Sequence, residues 1–437
     1  MCTLLPRMIA LLSGRPLVSP RPLPLPRPLL LRRGRLFASA ASSDVLEGPP
    51  LLQEARAFFS ARGLQLTHAY SAPPGSRTTS RIAVRAGADG RPLIGLFAPG
   101  THDVRPCASD ESCHVPHHPA INDALDALQA EVEAGDLAAF DEATATGTLR
   151  YLQLSVERTS RRVQVVLVAH SDSVEPALAR FAAQLWERHG GDGGWLHSLW
   201  VNLNPTAFNN ILSYAPGAWR LLYAPPAGAG ELAGSLVERY ASTDTQFVLP
   251  PFVFRQANLD GFDKIVAELR AAVPPGARIV EWYAGVGVLG LSLAADAAFV
   301  RCSDVNPPRE AFEASRALLP AHARDRVSYA VGAAKERLDD AVGADVALVD
   351  PPRKGLAPEL LAALCDDPRR GGPCASVRTL LYVSCGFPAL THDLDALLAA
   401  GCWRVRGETA TAYVLFTGAN HIETVVVFDR VDMSDLV

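Results

Sequence analysis

Between residues 277 and 385 the sequence holds four short apolar runs, each broken off by residues able to do chemistry. Residues 277–283 run into glycines at 285, 287 and 290, and 299–303 end at Asp304. Residues 346–349 end at Asp350-Pro351-Pro352, and 381–383 end at Ser384-Cys385-Gly386. A fifth run, 424–428, closes the series, and helical patterns at 259–272 and 289–295 flank the first. Apolar strands alternating with helices predict a parallel, doubly wound α/β sheet covered on both faces. Such sheets bind ligands at the carboxyl ends of their strands. Gly285, Asp304, Asp350 and Cys385 are therefore expected on one rim.

The chain before this series reads differently. Residues 81–85 alternate polar and apolar, 87–90 form a turn, and 92–97 return as a second strand. A helix is expected over 119–133, with Ile121, Leu125 and Leu128 on one face, and a weaker one over 52–62. Further strands are expected at 150–156, 162–169 and 196–202. The organisation expected is a smaller α+β substrate-binding domain over 44–253, then a Rossmann-like domain over 254–437.

Residues 1–43 are a separate object. They carry seven arginines, no lysine and no acid before Asp44, and are rich in Leu, Pro, Ser and Ala. That composition is expected of an organellar transit peptide, for a plastid or a mitochondrion, since a secretory signal needs a continuous apolar core. Without those arginines the chain keeps 34 basic residues against 46 acidic ones. An acidic body argues against indiscriminate nucleic-acid binding, so an RNA partner must meet a local basic patch. No apolar run approaches the roughly 20 residues of a transmembrane helix.

None of the eight cysteines forms a C-x-x-C, which leaves an iron–sulfur site without support. Cys107 and Cys113 lie near His114, His117 and His118, but the spacing matches no zinc pattern. No metal is expected, and these are read as free thiols and loop histidines of a reducing compartment.

The spacing Gly285-x-Gly287-x-x-Gly290, with Asp304 about twenty residues on, fits a glycine-rich turn that brings backbone close to a nucleotide and an acid to its ribose. A dinucleotide gives no reason for Asp350-Pro351-Pro352-Arg353. A proline-rigid loop framing an acceptor beside a sulfonium does, which favours S-adenosyl-L-methionine.

Three stretches, "VDPPRKGL" (349–356), "YVSC" (382–385) and "HIETVVVFDR" (421–430), resemble the RNA 5-methyluridine methyltransferases of the tRNA (uracil-5-)-methyltransferase type. "FRQANLDGFDKIVAEL" (254–269) resembles the segment leading into that family's catalytic domain, and stretches within 94–212 resemble its substrate domain. The resemblance implies a class I methyltransferase domain at the C-terminus and S-adenosyl-L-methionine held by Gln256, Tyr283, Asp304 and Asp350, with Gly285 and Gly287 in the turn. It implies Cys385 as nucleophile and Glu423 as the base. Relatives usually have Asn-Pro after the cysteine and an Arg-Asp pair further on. Here the run is Gly386-Phe387-Pro388-Ala389-Leu390-Thr391-His392-Asp393.

The chemistry needs these residue types. Carbon 5 of uracil is a poor nucleophile, and a thiolate adding to carbon 6 activates it. A carboxylate of raised pKa then takes the carbon 5 proton so that the thiol can leave. A uracil in a stack must first be flipped out, and Phe254 or Phe387 could stack on it. Arg353-Lys354 reads either as a phosphate contact or as a solvated helix start. The expected substrate is organellar tRNA, with organellar rRNA as the alternative. A second class is a non-catalytic tRNA-binding or folding factor that keeps the fold. Oligomeric state is not legible.

Overall fold

The computed structural model describes residues 48–108, 110–206, 210–228, 232–305 and 309–431, so the expected leader, 1–43, lies outside them. The described strands are, in chain order, β1 (Gln65–Ser71), β2 (Thr79–Ala86), β3 (Pro92–Phe97), β4 (Val104–Pro106), β5 (Leu149–Val156), β6 (Val163–Ala169), β7 (Leu196–Leu203) and β8 (Trp219–Tyr223). They continue as β9 (Leu236–Tyr240), β10 (Thr245–Leu249), β11 (Arg278–Trp282), β12 (Phe299–Asp304), β13 (Val327–Val331), β14 (Val346–Val349) and β15 (Thr379–Ser384). Three short steps finish the chain: β16 (Trp403–Val405), β17 (Thr409–Val414) and β18 (Glu423–Arg430).

A nine-stranded sheet has the order β1-β17-β18-β15-β14-β11-β12-β13, with β16 also on β18. The pairs from β13 to β15 are all parallel, as the apolar runs predict. The strand order reverses between β11 and β14, and a crevice opens there at the carboxyl ends. Side chains alternate between two cores. Ile279, Leu348, Leu381 and Val383 pack under the helix Leu259–Ala272. Val280, Trp282, Leu380 and Tyr382 pack under the helices Pro358–Cys365 and Phe387–Ala399. Burial on both faces is why these strands read as unbroken apolar runs.

The last strand departs from the expected series. β18 is antiparallel to β15 and lies between β15 and β17, a strand the sequence reading did not anticipate. Its short alternating stretch, Thr409–Val414, lacks the apolar continuity that flags a central strand.

A seven-stranded sheet, order β4-β3-β2-β5-β6-β7-β8, forms the other layer. It is antiparallel apart from β6–β7, and the helices Pro119–Ala134 and Pro176–His189 bury Ile121, Leu125, Leu128 and Phe181 against one face. The expected boundary at 253/254 does not follow the packing. The helix Pro50–Ser60 buries Leu52, Ala55 and Phe59 in the core of the nine-stranded sheet, and β1 pairs with β17 at its edge. The ribbon β9–β10 adds Tyr240, Phe247 and Leu249 to the same layer. Long-range burial decides this, and no local pattern announces it.

A second correction concerns Cys107 and Cys113. They are joined in a disulfide, both buried, rather than standing as free thiols. Their Cα atoms are 5.2 Å apart because the chain turns back between β4 and the loop ahead of the helix Pro119–Ala134. No helix of the described residues is long and apolar enough to cross a membrane.

Candidate active site

Two adjoining cavities open at the carboxyl rim, of about 1420 Å3 and 260 Å3. Both are lined by Phe254, Gln256, Tyr283, Gly285, Asp304 and Asp350. The larger adds Arg353, Cys385, Phe416, His421 and Glu423. Seven of the eight residues singled out in the sequence therefore face one space, six of them delivered by the ends of β11, β12, β14 and β15 and the start of β18, and Gln256 by the segment ahead of the helix Leu259–Ala272. Gly287 is the exception. It caps the helix Val288–Leu293 and sits against the Phe312 ring, so its place is in the packing behind the turn.

The glycine-rich turn is held from several sides. Gly285 N–H donates to Asp304 Oδ2 at 2.9 Å, and Tyr329 hydroxyl donates to Gly285 carbonyl at 2.9 Å. Tyr283 takes a left-handed backbone, φ 63°, which costs a side chain with Cβ about 1–2 kcal/mol. Its hydroxyl accepts from Ala357 N–H at 2.9 Å, and that bond helps over-determine the conformation. Glu281, which the sequence reading passed over, lies buried behind the turn, where its Oε2 accepts from Gly290 N–H and the Cys302 thiol, each at 3.1 Å. Burial pushes its carboxyl up to about 8, with Asp350 and Asp304 adding to the shift and those two hydrogen bonds opposing it. A buried acid inside an apolar run is the one signal that could have found it.

Gln256 and Phe254 reach the rim from a segment pinned between the layers. Arg255 Nη2 donates to the buried Glu238 at 2.7 Å and to Val156 carbonyl at 2.6 Å, while Arg158 Nε donates to the same carboxylate at 2.9 Å. Phe254, between fixed neighbours, is 77% exposed toward the cavities. Phe387 is 6% exposed and packs on Phe58 and Phe59, which removes it as a stacking platform.

Cys385 and Glu423 meet because β18 runs against β15. Ser384 pairs with Thr424, and the same register sets Cys385 across from Glu423. The Cys385 thiol donates to Pro351 carbonyl at 3.9 Å. His421 Nε2 donates to Cys385 carbonyl at 3.0 Å. The loop after β14 crosses directly over the strand end. A Cβ on Gly386 would lie 2.5 Å from Arg353 carbonyl and 2.8 Å from its Cα, so glycine permits this approach.

The electrostatics are those of a desolvated acid cluster beside a single arginine. Burial pushes Asp350 up to about 7. Burial, then the Asp350 charge, holds Glu423 well above the carboxylate range, with Arg353 opposing. Burial, then Glu423 and Asp350, push the Cys385 thiol up to about 11, again opposed by Arg353. At neutral pH Cys385 therefore rests as a thiol, beside a Glu423 carboxyl that holds its proton more tightly than an exposed one. No cluster of three or more metal-binding side chains occurs among the described residues.

The donor set suits a cationic, amphiphilic ligand. The smaller cavity joins the buried Glu281 and the half-buried Asp350 to apolar walls from Leu249, Val286 and Leu289, with the half-buried Gln256 at the junction.

No protein-family model matches the chain. It is 34% identical over 364 residues to an uncharacterized RNA methyltransferase of Protochlamydia amoebophila, covering 82% of this chain and 86% of the relative. A second RNA methyltransferase, from Lactobacillus johnsonii, is 26% identical over 366 residues, covering 82% and 73%. In fold it is similar to the crystal structure of Pyrococcus abyssi tRNA (uracil-54, C5)-methyltransferase in complex with S-adenosyl-L-homocysteine. The TM-score is 0.63 at 21% identity, over 86% of this chain and 82% of the other.

Proposed function

Because the chain belongs to the S-adenosylmethionine-dependent RNA methyltransferase family, we propose that it methylates carbon 5 of a uridine in structured RNA, with organellar tRNA as substrate. The observation that carries this reading is a thiol and a buried carboxylic acid beside the last β15–β18 pair, Ser384 with Thr424: Cys385 follows the one and Glu423 precedes the other, in a cavity shared with Asp350.

S-adenosylmethionine supplies a methyl group on a positively charged sulfur, an electrophile that unactivated carbon 5 does not attack. Gln256, Tyr283, Gly285, Asp304 and Asp350 would hold it. Cys385 provides the activation: its thiol gives its proton up to solvent, the sulfur bonds to carbon 6, and the electron pair of the 5,6 double bond moves to carbon 5. Once carbon 5 bears both methyl and hydrogen, Glu423 as carboxylate takes the proton. The freed pair rebuilds the double bond and the sulfur leaves. The base must leave its stack to reach this site, and the exposed Phe254 ring offers it a new face. The arginine-rich segment 1–43 supports delivery to a plastid or mitochondrion. Fusing residues 1–45 to a fluorescent protein tests that, and a diffuse cytosolic signal refutes it.

Mass-spectrometric comparison of 5-methyluridine in organellar tRNA and rRNA, with and without the gene, tests the activity. Loss from tRNA is expected. Loss from rRNA alone moves the substrate to rRNA, and no loss from either rejects the reading.

Donor affinity should depend on pH. Asp350 and Glu281 are neutral below about 7 and about 8 respectively and negative above. Raising the pH from 6 to 9 therefore adds negative charge beside the sulfonium. Calorimetry should show S-adenosylmethionine binding roughly tenfold tighter at the upper end. S-adenosylhomocysteine, whose sulfur is neutral, should follow less steeply. Equal slopes for the two ligands would remove the electrostatic role of these acids.

A further inference from the structure

We propose that Asp393 is the positioning residue of this site, locking the strand that delivers Cys385 to the loop that carries Asp350 and Arg353. The inference rests on the methyltransferase reading above and assigns a task to a residue outside the reacting set.

Asp393 lies on the second turn of the helix Phe387–Ala399, eight positions past the cysteine, and is 3% exposed. A buried carboxylate needs partners or it destabilises the fold. Two of the three here come from the catalytic elements themselves. Its Oδ2 accepts from Tyr382 hydroxyl at 2.7 Å, and Tyr382 is on β15, three residues before Cys385. The same oxygen accepts from Leu356 N–H at 2.9 Å, in the loop that begins at Asp350. Its other oxygen contacts His392 Nδ1 at 3.2 Å. Tyr382 is fully buried, and burial followed by the Asp393 charge raises its hydroxyl far above the ordinary tyrosine value, so it stays a donor.

The loop is shaped to receive this carboxylate. Gly355 is left-handed, φ +83°, and a Cβ there would stand 2.7 Å from Asp393 Oδ2. The next amide, Ala357 N–H, donates to Tyr283 hydroxyl at 2.9 Å, so two successive N–H groups are fixed, one by each side of the crevice. Between these anchors and Asp350 the loop has little room to drift. Arg353, the residue that opposes the upward shifts of both Cys385 and Glu423, lies within it. A loosened loop moves Arg353 and the Pro351 carbonyl relative to the thiol, and misplacement of about 1 Å can cost roughly a hundredfold in rate.

The test uses the full chain and compares wild type, Asp393→Asn, Tyr382→Phe and the double variant. Asp393→Asn should lower kcat roughly 10–100-fold, with the KM for S-adenosylmethionine changed less than about threefold. It should also speed amide exchange at Leu356 while the β11 and β14 amides keep their protection. Tyr382→Phe should lower kcat in the same direction, and the double variant should be no worse than Asp393→Asn alone, because both act through one link. A kcat within twofold of wild type in Asp393→Asn overturns the proposal. So does a loss of activity that simply tracks the fraction unfolded, or additive losses in the double variant. If Asp393→Asn does not fold, Tyr382→Phe, which deletes one hydroxyl, decides by its kcat and by Leu356 exchange. A wild-type chain that puts no methyl on carbon 5 of uridine would instead count against the functional reading, and Leu356 exchange would still judge the lock.

Discussion

Replacing Cys385 with alanine is expected to abolish methyl transfer, by roughly ten-thousand-fold or more, while leaving S-adenosylmethionine bound as before. The magnitude follows from what the sulfur does: without a bond to carbon 6 no electron pair reaches carbon 5, and removing a nucleophile is among the costliest single changes an enzyme can suffer. RNA carrying 5-fluorouridine gives the sharper readout. Fluorine at carbon 5 cannot be taken as a proton, so the adduct stays and survives a denaturing gel. Cys365 serves as the control, since its thiol lines the same cavity but donates to Ala396 carbonyl at 3.6 Å. Cys365→Ala should still form the adduct and Cys385→Ala should not. An adduct that persists in Cys385→Ala would falsify the nucleophile assignment.

Glu423→Gln should fail at the opposite end of the reaction. The amide cannot take the carbon 5 proton, so the methylated, covalently linked RNA should accumulate even from ordinary uridine RNA. Turnover should fall by about 10^2 to 10^4. The fold should tolerate the change, because glutamine has the same shape and burial already disfavours the charged form of Glu423. The sign of its stability effect is also set. A carboxyl whose folded pKa is raised binds its proton more tightly in the folded state, so the wild type loses stability as pH rises above the usual carboxylate range. The glutamine variant carries no such alkaline loss. A fully active Glu423→Gln chain, or one stalled without a covalent band, assigns the proton to another group.

Much of the catalytic layer was legible because its determinants are local. The runs that became β11, β12, β14 and β15 declared themselves by unbroken apolar character, and that character is burial on both faces. The helix over 259–272 was legible in full, with Asn258 capping it through Gly261 N–H at 2.9 Å. The acids and the cysteine were found because each stands where such a run stops. What escaped notice has a common cause. Glu281 sits inside a run rather than at its end, and Asp393 is one acid among several on an ordinary helix. Both matter through partners 9 to 37 residues away along the chain. The assignment of residues 50–71 to the substrate layer failed for the same reason, since an edge strand joins whichever sheet offers it a free edge.

The sequence by itself determined the alternating architecture of the catalytic layer and placed Gly285, Asp304, Asp350 and Cys385 where its apolar runs stop. Only the tertiary structure decided that Glu423 shares a cavity with Cys385. In a parallel sheet the start of a strand lies at the edge opposite the strand ends, and a carboxylate there would be a full strand length from Cys385. The chain avoids this by turning after β17 and returning as β18, antiparallel and inserted beside β15. Strand direction is set by hydrogen bonding between segments some 40 residues apart and by the cores that cover them. Nothing in the residues of either strand states it.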